Sequence, residues 1–558
     1  MQELLKTQQE QQSQEKLDDS SDAQEVQEIK KNDDSLVEEI IELVELDEEE
    51  DNKEEKVYDV CLMLEGTYPF VAGGVSSWVH NLISALPEIS FTGICILPTE
   101  KEKWEVKYDV PDNFHDLKVV YLHDYNIGDR TKHKKKSHRK NLRILKKYHQ
   151  KLFSGDFSDF EKILPMFQGE KKNRFTAHDL VYGRDAWNLL LDFYKAEVNK
   201  ESFIDYFWTF RFIHLPVMKL LSARIPLAKV YHTVSTGYAG LLGATAKCTY
   251  QKPLLLTEHG IYTKERKIEI SQAEWIYVAG GEKIKVETNL GFFQNLWVSF
   301  FESLGRLTYQ KSNEIYTLYE GNRKLEIEYG ADPKKTFIIP NAINIKRFQK
   351  FPRKERNPGD PFIVGFVGRV VPIKDVKTFI RACKVVSLTI PSVKFYIMGP
   401  RDEDPQYDRE CVELISMLGL DENIIFTGRV NVQEYYPKLD LLVLTSISEA
   451  QPLVILEAAC LGVPSVASDV GSCDELLLGR TKEDKALGPS GIITRVSDPD
   501  ETAQAIIKIL KDDKLRAQMN ESAIKRVEKY YKESDLNDRY RSIYFKYMTA
   551  PTEITGVA

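Results

Sequence analysis

Glu449 and Glu457, in the stretch SEAQPLVILEAACLGVPSVASDVGSCDEL (448–476), carry the strongest chemical signal in the chain. Glu449 falls in a loop after an apolar run, and Glu457 falls inside the helical pattern next to it. On one continuous helix the two would stand about 12 Å apart at 1.5 Å per residue. That exceeds the roughly 5.5 Å between the paired carboxylates of a retaining glycosidase. Unequal roles fit better, one carboxylate orienting a sugar and the other accepting from ribose hydroxyls. Leu453 and Val454 open the helix, where amides without intrahelical partners favour an anion. A loop acid beside an unrelated helix-surface acid is the plain alternative, and the LGVPSVASDVG directly after the helix argues against it.

Three other groups of residues could do chemistry. In GFVGRVVPIK (365–374), Arg369 and Lys374 follow a strand-like run and face the next helix. Two cations there can clamp a diphosphate, with the helix N-terminus adding amides; two solvated surface cations explain them equally well. In EGTYPFVAGGVSSWVHNL (65–82), Gly73 and Gly74 precede a helix and would let backbone approach a phosphate or sugar, though a tight turn needs the same residues. In LLLTEHGIYTKER (254–266), Glu258, His259, Lys264 and Arg266 cluster past a strand end and read as cleft-lining. A single histidine is more often structural than catalytic, and His259 stays open on both counts. The basic run KHKKKSHRK (132–140) suits an acidic lipid or an anionic polymer, or is a solvated loop.

Positioning these residues requires alternating strands and helices. Strand-like runs recur at 57–64, 92–97, 117–122, 228–234, 253–258, 313–318 and 335–340, with helical stretches between them. The alternation resumes at 362–367, 393–399, 423–428, 440–446 and 464–468, and the terminal 500–547 segment is helical. This pattern predicts parallel sheets covered on both faces, as two doubly wound α/β domains with a ligand cleft between their carboxyl ends. Residues 56–350 are expected to form the first domain, with an aromatic-rich insertion at about 124–225, and 360–548 the second. The charged RKERNPGDP (353–361) is the expected linker.

Charge sharpens the division. The 558 residues carry a net charge of −9, but residues 1–55 hold 21 Asp and Glu against 5 Lys, a net of −16. The rest is therefore +7, a body suited to an anionic small molecule, and no nucleic-acid partner is expected. Residues 1–55 contain no aromatic residue and read as a disordered acidic tail, in which Ile40, Ile41, Leu43, Val44 and Leu46 could form a short helical face for a partner. No apolar run is long enough to span a membrane, and the first residues lack the apolar stretch of a secretory signal. Seven scattered cysteines with no CxxC pair suit reduced core thiols and give no zinc site. Two Asp-x-Asp matches, at 402–404 and 498–500, fall in expected loops apart from the other motifs.

Together these motifs resemble the family 4 glycosyltransferases of the GT-B fold, over about 180 residues of the C-terminal half, with E-x7-E followed by G-V-P as the specific element. LEGTYPFVAGGVSSWVHNLI and TEHGIYTKER resemble more narrowly the PelF-type enzymes associated with Pel exopolysaccharide. The resemblance implies a cytoplasmic, retaining, metal-independent hexosyltransferase, peripheral to the inner face of the plasma membrane. It would use a nucleotide-diphosphate sugar, UDP-glucose or a related donor, with no further cofactor and no bound metal. A glycan or growing polysaccharide would be the acceptor, and membrane-associated polysaccharide assembly proteins the partners. Arg369 and Lys374 would hold the diphosphate, Glu449 the transferred sugar, Leu453 and Val454 the anion through backbone amides, and Glu457 the ribose. Gly73 and Gly74 would lie beside the phosphates and His259 would face the sugar. Ala-Gln-Pro after Glu449 departs from the usual Gly-Phe-Gly of that family. A nucleotide-sugar 2-epimerase and a non-catalytic nucleotide-sugar-binding subunit are the rival readings.

Overall fold

The computed structural model describes residues 56–125, 139–152, 155–169, 174–197, 201–272, 291–351, 353, 356–357 and 359–549. The acidic segment 1–55 and most of the basic run 132–140 lie outside them. Thirteen strands form two sheets, and every strand pairing among the described residues is parallel.

The first sheet contains β1 (Tyr58–Glu65), β2 (Phe91–Leu97), β3 (Phe114–Tyr121), β4 (Ala228–Thr233), β5 (Leu254–Glu258), β6 (Glu314–Thr317) and β7 (Thr336–Ile338), in the order β3-β2-β1-β4-β5-β6-β7. All seven residues of β2 are buried, as expected of a strand covered on both faces. The second sheet contains β8 (Ile363–Val367), β9 (Lys394–Met398), β10 (Ile424–Gly428), β11 (Leu441–Leu444), β12 (Ser465–Ser468) and β13 (Gly491–Thr494), in the order β10-β9-β8-β11-β12-β13. The two doubly wound units expected from the sequence are therefore present. β13 was not legible, because GIIT is a four-residue run with no flanking period to mark it.

In each sheet the strand order reverses once, between β1 and β4 and between β8 and β11. A crevice opens at the carboxyl ends of the strands flanking such a point. Val60 pairs with both Phe91 and Val230, and Leu442 with both Gly365 and Ser465, so the flanking strands are held on both sides.

Between β3 and β4 the 124–225 insertion folds into five helices, Arg139–Leu152, Phe160–Gln168, Ala177–Tyr182, Arg184–Glu197 and Phe203–Leu221. The aromatic residues of this insertion, including Phe157, Phe160, Phe167 and Phe210, share one apolar core with Cys61 and Met63 of β1. All seven cysteines are free and only Cys248 is partly exposed.

Two boundaries differ from expectation. The chain crosses between units at 339–343 rather than at 353–361: Ile339 belongs to the first core, whereas Phe348 belongs to the second. Arg353 is tied onto the second unit through the carbonyls of Gly462 and Leu439, so this end of the charged stretch is anchored. The last helix, Glu533–Thr549, was expected in the second domain. Its Leu536, Tyr540 and Tyr544 instead join the core of the first sheet. The burial of three large side chains there outweighs sequence proximity. The outgoing and returning chains meet where Ile343 pairs with Lys532 and donates its N–H to Tyr531.

Candidate functional site

Arg369, Lys374 and Glu449 follow β8 and β11, the two strands at the second switch point. Val367 ends its strand at Gly368, whose N–H donates to the Met398 carbonyl. Gly399 makes this close approach possible: its φ is +152°, and a Cβ there would stand 2.0 Å from the Gly368 oxygen. Arg369 is half exposed and paired with Glu403. The Asp-x-Asp loop at 402–404, expected apart from the motifs, therefore lies against Arg369 of GFVGRVVPIK. Ordered backbone then brings the chain through a 3₁₀ turn, Pro372–Lys374, to Asp375 at φ +43°. The Asp375 carboxylate accepts from Thr378 and from Ser497, which fixes the turn that carries Lys374.

Lys374 Nζ lies 2.5 Å from Glu449 Oε1, and the Ser446 hydroxyl donates to the same oxygen at 2.6 Å. Ser468 at the end of β12 donates to the Ser446 carbonyl at 2.6 Å, so Glu449 rests on the ends of adjacent strands. Glu457 lies elsewhere, on the helix Leu453–Ala459, and accepts from Tyr436 at 2.7 Å. Burial pushes its carboxyl above the ordinary range, against that hydrogen bond and the charge of Arg347. The two glutamates thus have separate partners. The helix begins after Pro452 with no side-chain cap, and Leu453 is exposed there.

Gly73 and Gly74 follow β1 at the first switch point and open the helix Gly74–Ala85. A Cβ at either would meet nothing within 4 Å, so no packing within the chain requires glycine. Tyr108 holds this turn, accepting from Gly73 N–H and bonding the Ser77 hydroxyl. His259 is buried past β5, 4.8 Å from Trp78 in an edge-to-face arrangement, with Nε2 lacking a partner among the described residues. Burial lowers its pKa to about 4, which keeps the imidazole neutral.

Glu258 of that cluster does not line a crevice. Glu258 is fully buried and accepts from Thr236, the Tyr262 amide and Tyr309. Arg266 lies over the Tyr262 ring and pairs with Glu269, while Lys264 faces solvent. An alternating polar sequence past a strand end cannot distinguish an inward carboxylate from one lining a crevice.

Ser446, Tyr436 and Gln451 hold the site residues and carry no role expected from sequence. Gln451, in the unusual Ala-Gln-Pro, accepts from Asn341 N–H at 2.7 Å and donates to its carbonyl at 3.3 Å. It ties the loop carrying Glu449 to the crossing between the two units. The departure from Gly-Phe-Gly was the available signal. Tyr436 carried none. Among the described residues no group of three or more His, Cys, Asp or Glu could hold a metal ion, and no helix is long and apolar enough to cross a membrane.

Two parallel-sheet units of this kind define the GT-B fold class. Sucrose-phosphate synthase from Thermosynechococcus elongatus superposes with a TM-score of 0.51 at 15% identity, covering 87% of this chain and 98% of that one. Anabaena Alr3699/HepE in complex with UDP gives 0.50 at 14% identity, covering 87% and 99%. Residues 347–526 match the family described as "Glycosyl transferases group 1", and residues 58–334 match "Domain of unknown function (DUF3492)". Among curated proteins, D-inositol 3-phosphate glycosyltransferase of Geodermatophilus obscurus is 30% identical over 34% of this chain and 43% of its own length. N-acetyl-alpha-D-glucosaminyl L-malate synthase of Bacillus anthracis is 24% identical over 42% and 56%. The chain spans about half the length of these relatives.

Proposed function

We propose that the protein transfers a hexose, with retention, from a UDP-linked sugar to a growing polysaccharide or glycan acceptor, as a PelF-type enzyme of exopolysaccharide synthesis. The observation that carries the reading is the Lys374–Glu449 pair at a switch point of the second sheet, within the segment that matches glycosyl transferases group 1. A solved structure of the same fold is a complex with UDP, which supports that nucleotide here.

In this reading Lys374 and Arg369 stabilise the departing diphosphate. Glu449 exchanges its ammonium partner for sugar hydroxyls, and Glu457, held by Tyr436, accepts from ribose. The amides of Leu453 and Val454 face the phosphates, with Gly73 and Gly74 admitting the donor from the opposite unit. Neutral His259 offers Nε2 to the sugar. Cations and oriented amides acting on a developing diphosphate are electrostatic preorganisation, worth about 3–4 kcal/mol for a single donor group, and the step is assigned no metal. The protein acts in the cytoplasm, at the membrane where assembly proteins would receive the product.

Incubation with a panel of nucleotide sugars, read out as nucleoside diphosphate release, tests the reading. Turnover lost in Lys374→Ala and Glu449→Gln supports it. Absence of turnover and of binding for every donor sinks it. Binding without turnover favours the non-catalytic subunit, and sugar released without acceptor the 2-epimerase.

A further inference from the structure

The insertion presents an apolar face that its own core does not cover. On the helix Phe203–Leu221, Ile204, Trp208 and Phe212 recur every four residues and are 65%, 49% and 54% exposed. Trp187 of the helix Arg184–Glu197 extends the face at 43% exposed, its ring set edge-on to Phe203 and Phe207. Trp208 stacks on Phe212, and the Arg211 guanidinium lies over Phe207 at 4.2 Å and Trp208 at 5.9 Å. Single exposed apolar residues need no explanation, but a contiguous aromatic face marks an interaction site. Asp205 shares this face; the described residues of 124–225 hold 13 Lys and Arg against 10 Asp and Glu, and the whole of 124–225 holds 21 against 12, a net of +9. That is more than the whole +7 of the chain beyond residue 55.

A complementary segment lies in the same chain. Within residues 1–55, of net −16, Leu36, Val37, Ile40, Ile41, Leu43 and Val44 recur at helical spacing, with Glu38, Glu39, Glu42 and Glu45 between them. Its point of attachment is close to the lobe: the Tyr58 amide donates to the Leu227 carbonyl, six residues beyond the end of the helix Phe203–Leu221. Along that helix Phe212 lies about 14 Å and Ile204 about 26 Å from Leu221. Residues 45–57, extended, reach about 40 Å. The tether also holds the segment at an effective concentration on the order of millimolar.

We infer that residues 36–44 form an amphipathic acidic helix that docks on the Trp187–Trp208–Phe212 face of the insertion. This contact is independent of the transfer reaction. Apolar residues would cover the aromatic face while the glutamates meet the lobe's cations, the helix-in-groove mode of recognition.

Hydrogen–deuterium exchange on the full chain tests it. Residues 36–44 should exchange at least about 10-fold more slowly than in the Trp208→Glu/Phe212→Glu variant. Ile40→Asp/Leu43→Asp should in turn raise exchange along 203–212 and increase acrylamide quenching of tryptophan, with an unchanged thermal midpoint showing that the fold persists. Unprotected 36–44 in the wild-type chain overturns the inference. So does protection that disappears on dilution together with a halving of molecular mass, which would assign the face to a second copy. Cosedimentation with phosphatidylglycerol vesicles while 36–44 remain unprotected would assign it to an anionic bilayer and also overturn the inference.

Discussion

Lys374 and Ser446 converge on one oxygen of Glu449, so the acid is held by two donors before any ligand arrives. If this oxygen and its lysine act on a donor sugar, Lys374→Ala should lower kcat by about 100- to 1,000-fold. Steady-state nucleotide release checks this, with calorimetric donor binding separating affinity from turnover. Tyr436 offers a second test. Its hydroxyl is the hydrogen-bond partner of a buried carboxyl, and a bond to a charged group contributes about 1.5–3 kcal/mol. Tyr436→Phe should therefore raise the donor KM by roughly 10-fold or more. The expected kcat is nearly unchanged, because Tyr436 positions Glu457 and would not touch the reacting atoms. An equal loss in kcat would remove that assignment.

Short loops at the carboxyl ends of β8 and β11 place these groups, and their geometry depends on two close backbone approaches. At Gly399 a Cβ would stand 2.0 Å from the Gly368 oxygen. At Gly471, with φ +57°, it would stand 2.3 Å from the backbone carbonyl oxygen of Glu449. Gly471→Ala cannot be accommodated without moving the Glu449 loop. It should destabilise the protein by about 1–3 kcal/mol through backbone strain and displace the acid, measurable as a lower denaturation midpoint and weaker donor binding. Gln451 acts between elements. Gln451→Ala removes both hydrogen bonds to the Asn341 backbone and leaves that segment free to move against the Glu449 loop. Faster hydrogen exchange at 339–344 is the expected result, with exchange in β8 and β11 unchanged.

At the scale of the whole molecule, the two units are joined by paired crossings at 339–343 and 531–533, and the last helix closes over the first sheet. The first core carries buried ionisable groups that set its pH response. Burial raises the carboxyls of Glu258 and Glu326 above their ordinary 4.5, and the charge of Glu258 adds to the effect on Glu326. The folded chain therefore binds more protons than the unfolded one above pH 4.5, and stability from these groups falls as pH rises through that window. His232 and His259 act oppositely. Burial lowers them to about 3 and about 4, so the unfolded chain takes up protons below about 6.5 and stability is lost as pH falls. Above about pH 7 the histidines no longer contribute, and the two acids should lower the thermal midpoint from about pH 7 to 9, opposed from about pH 8 by Lys247, whose pKa burial lowers to about 8. Glu326→Gln should flatten that decline; an unchanged slope would show that Glu326 is not its source.

The amino-acid order by itself determined the alternation of strands and helices and the motifs that end β1, β5, β8 and β11. These depend on local periodicity and on the glycines, prolines and charged residues that terminate each strand. It also exposed the division between an acidic first segment and a basic body. Tertiary structure alone decided which side chains meet. Lys374 and Glu449 are 75 residues apart, and nothing local records that β8 and β11 are neighbours. Glu258 turned inward because Tyr309, 51 residues on, waits beneath it. The last helix joined the first sheet because its tyrosines find His232 and Thr257 there, partners about 300 residues away along the chain. Strand order and burial are properties of the packed whole, and the pairings that make the site arise from them.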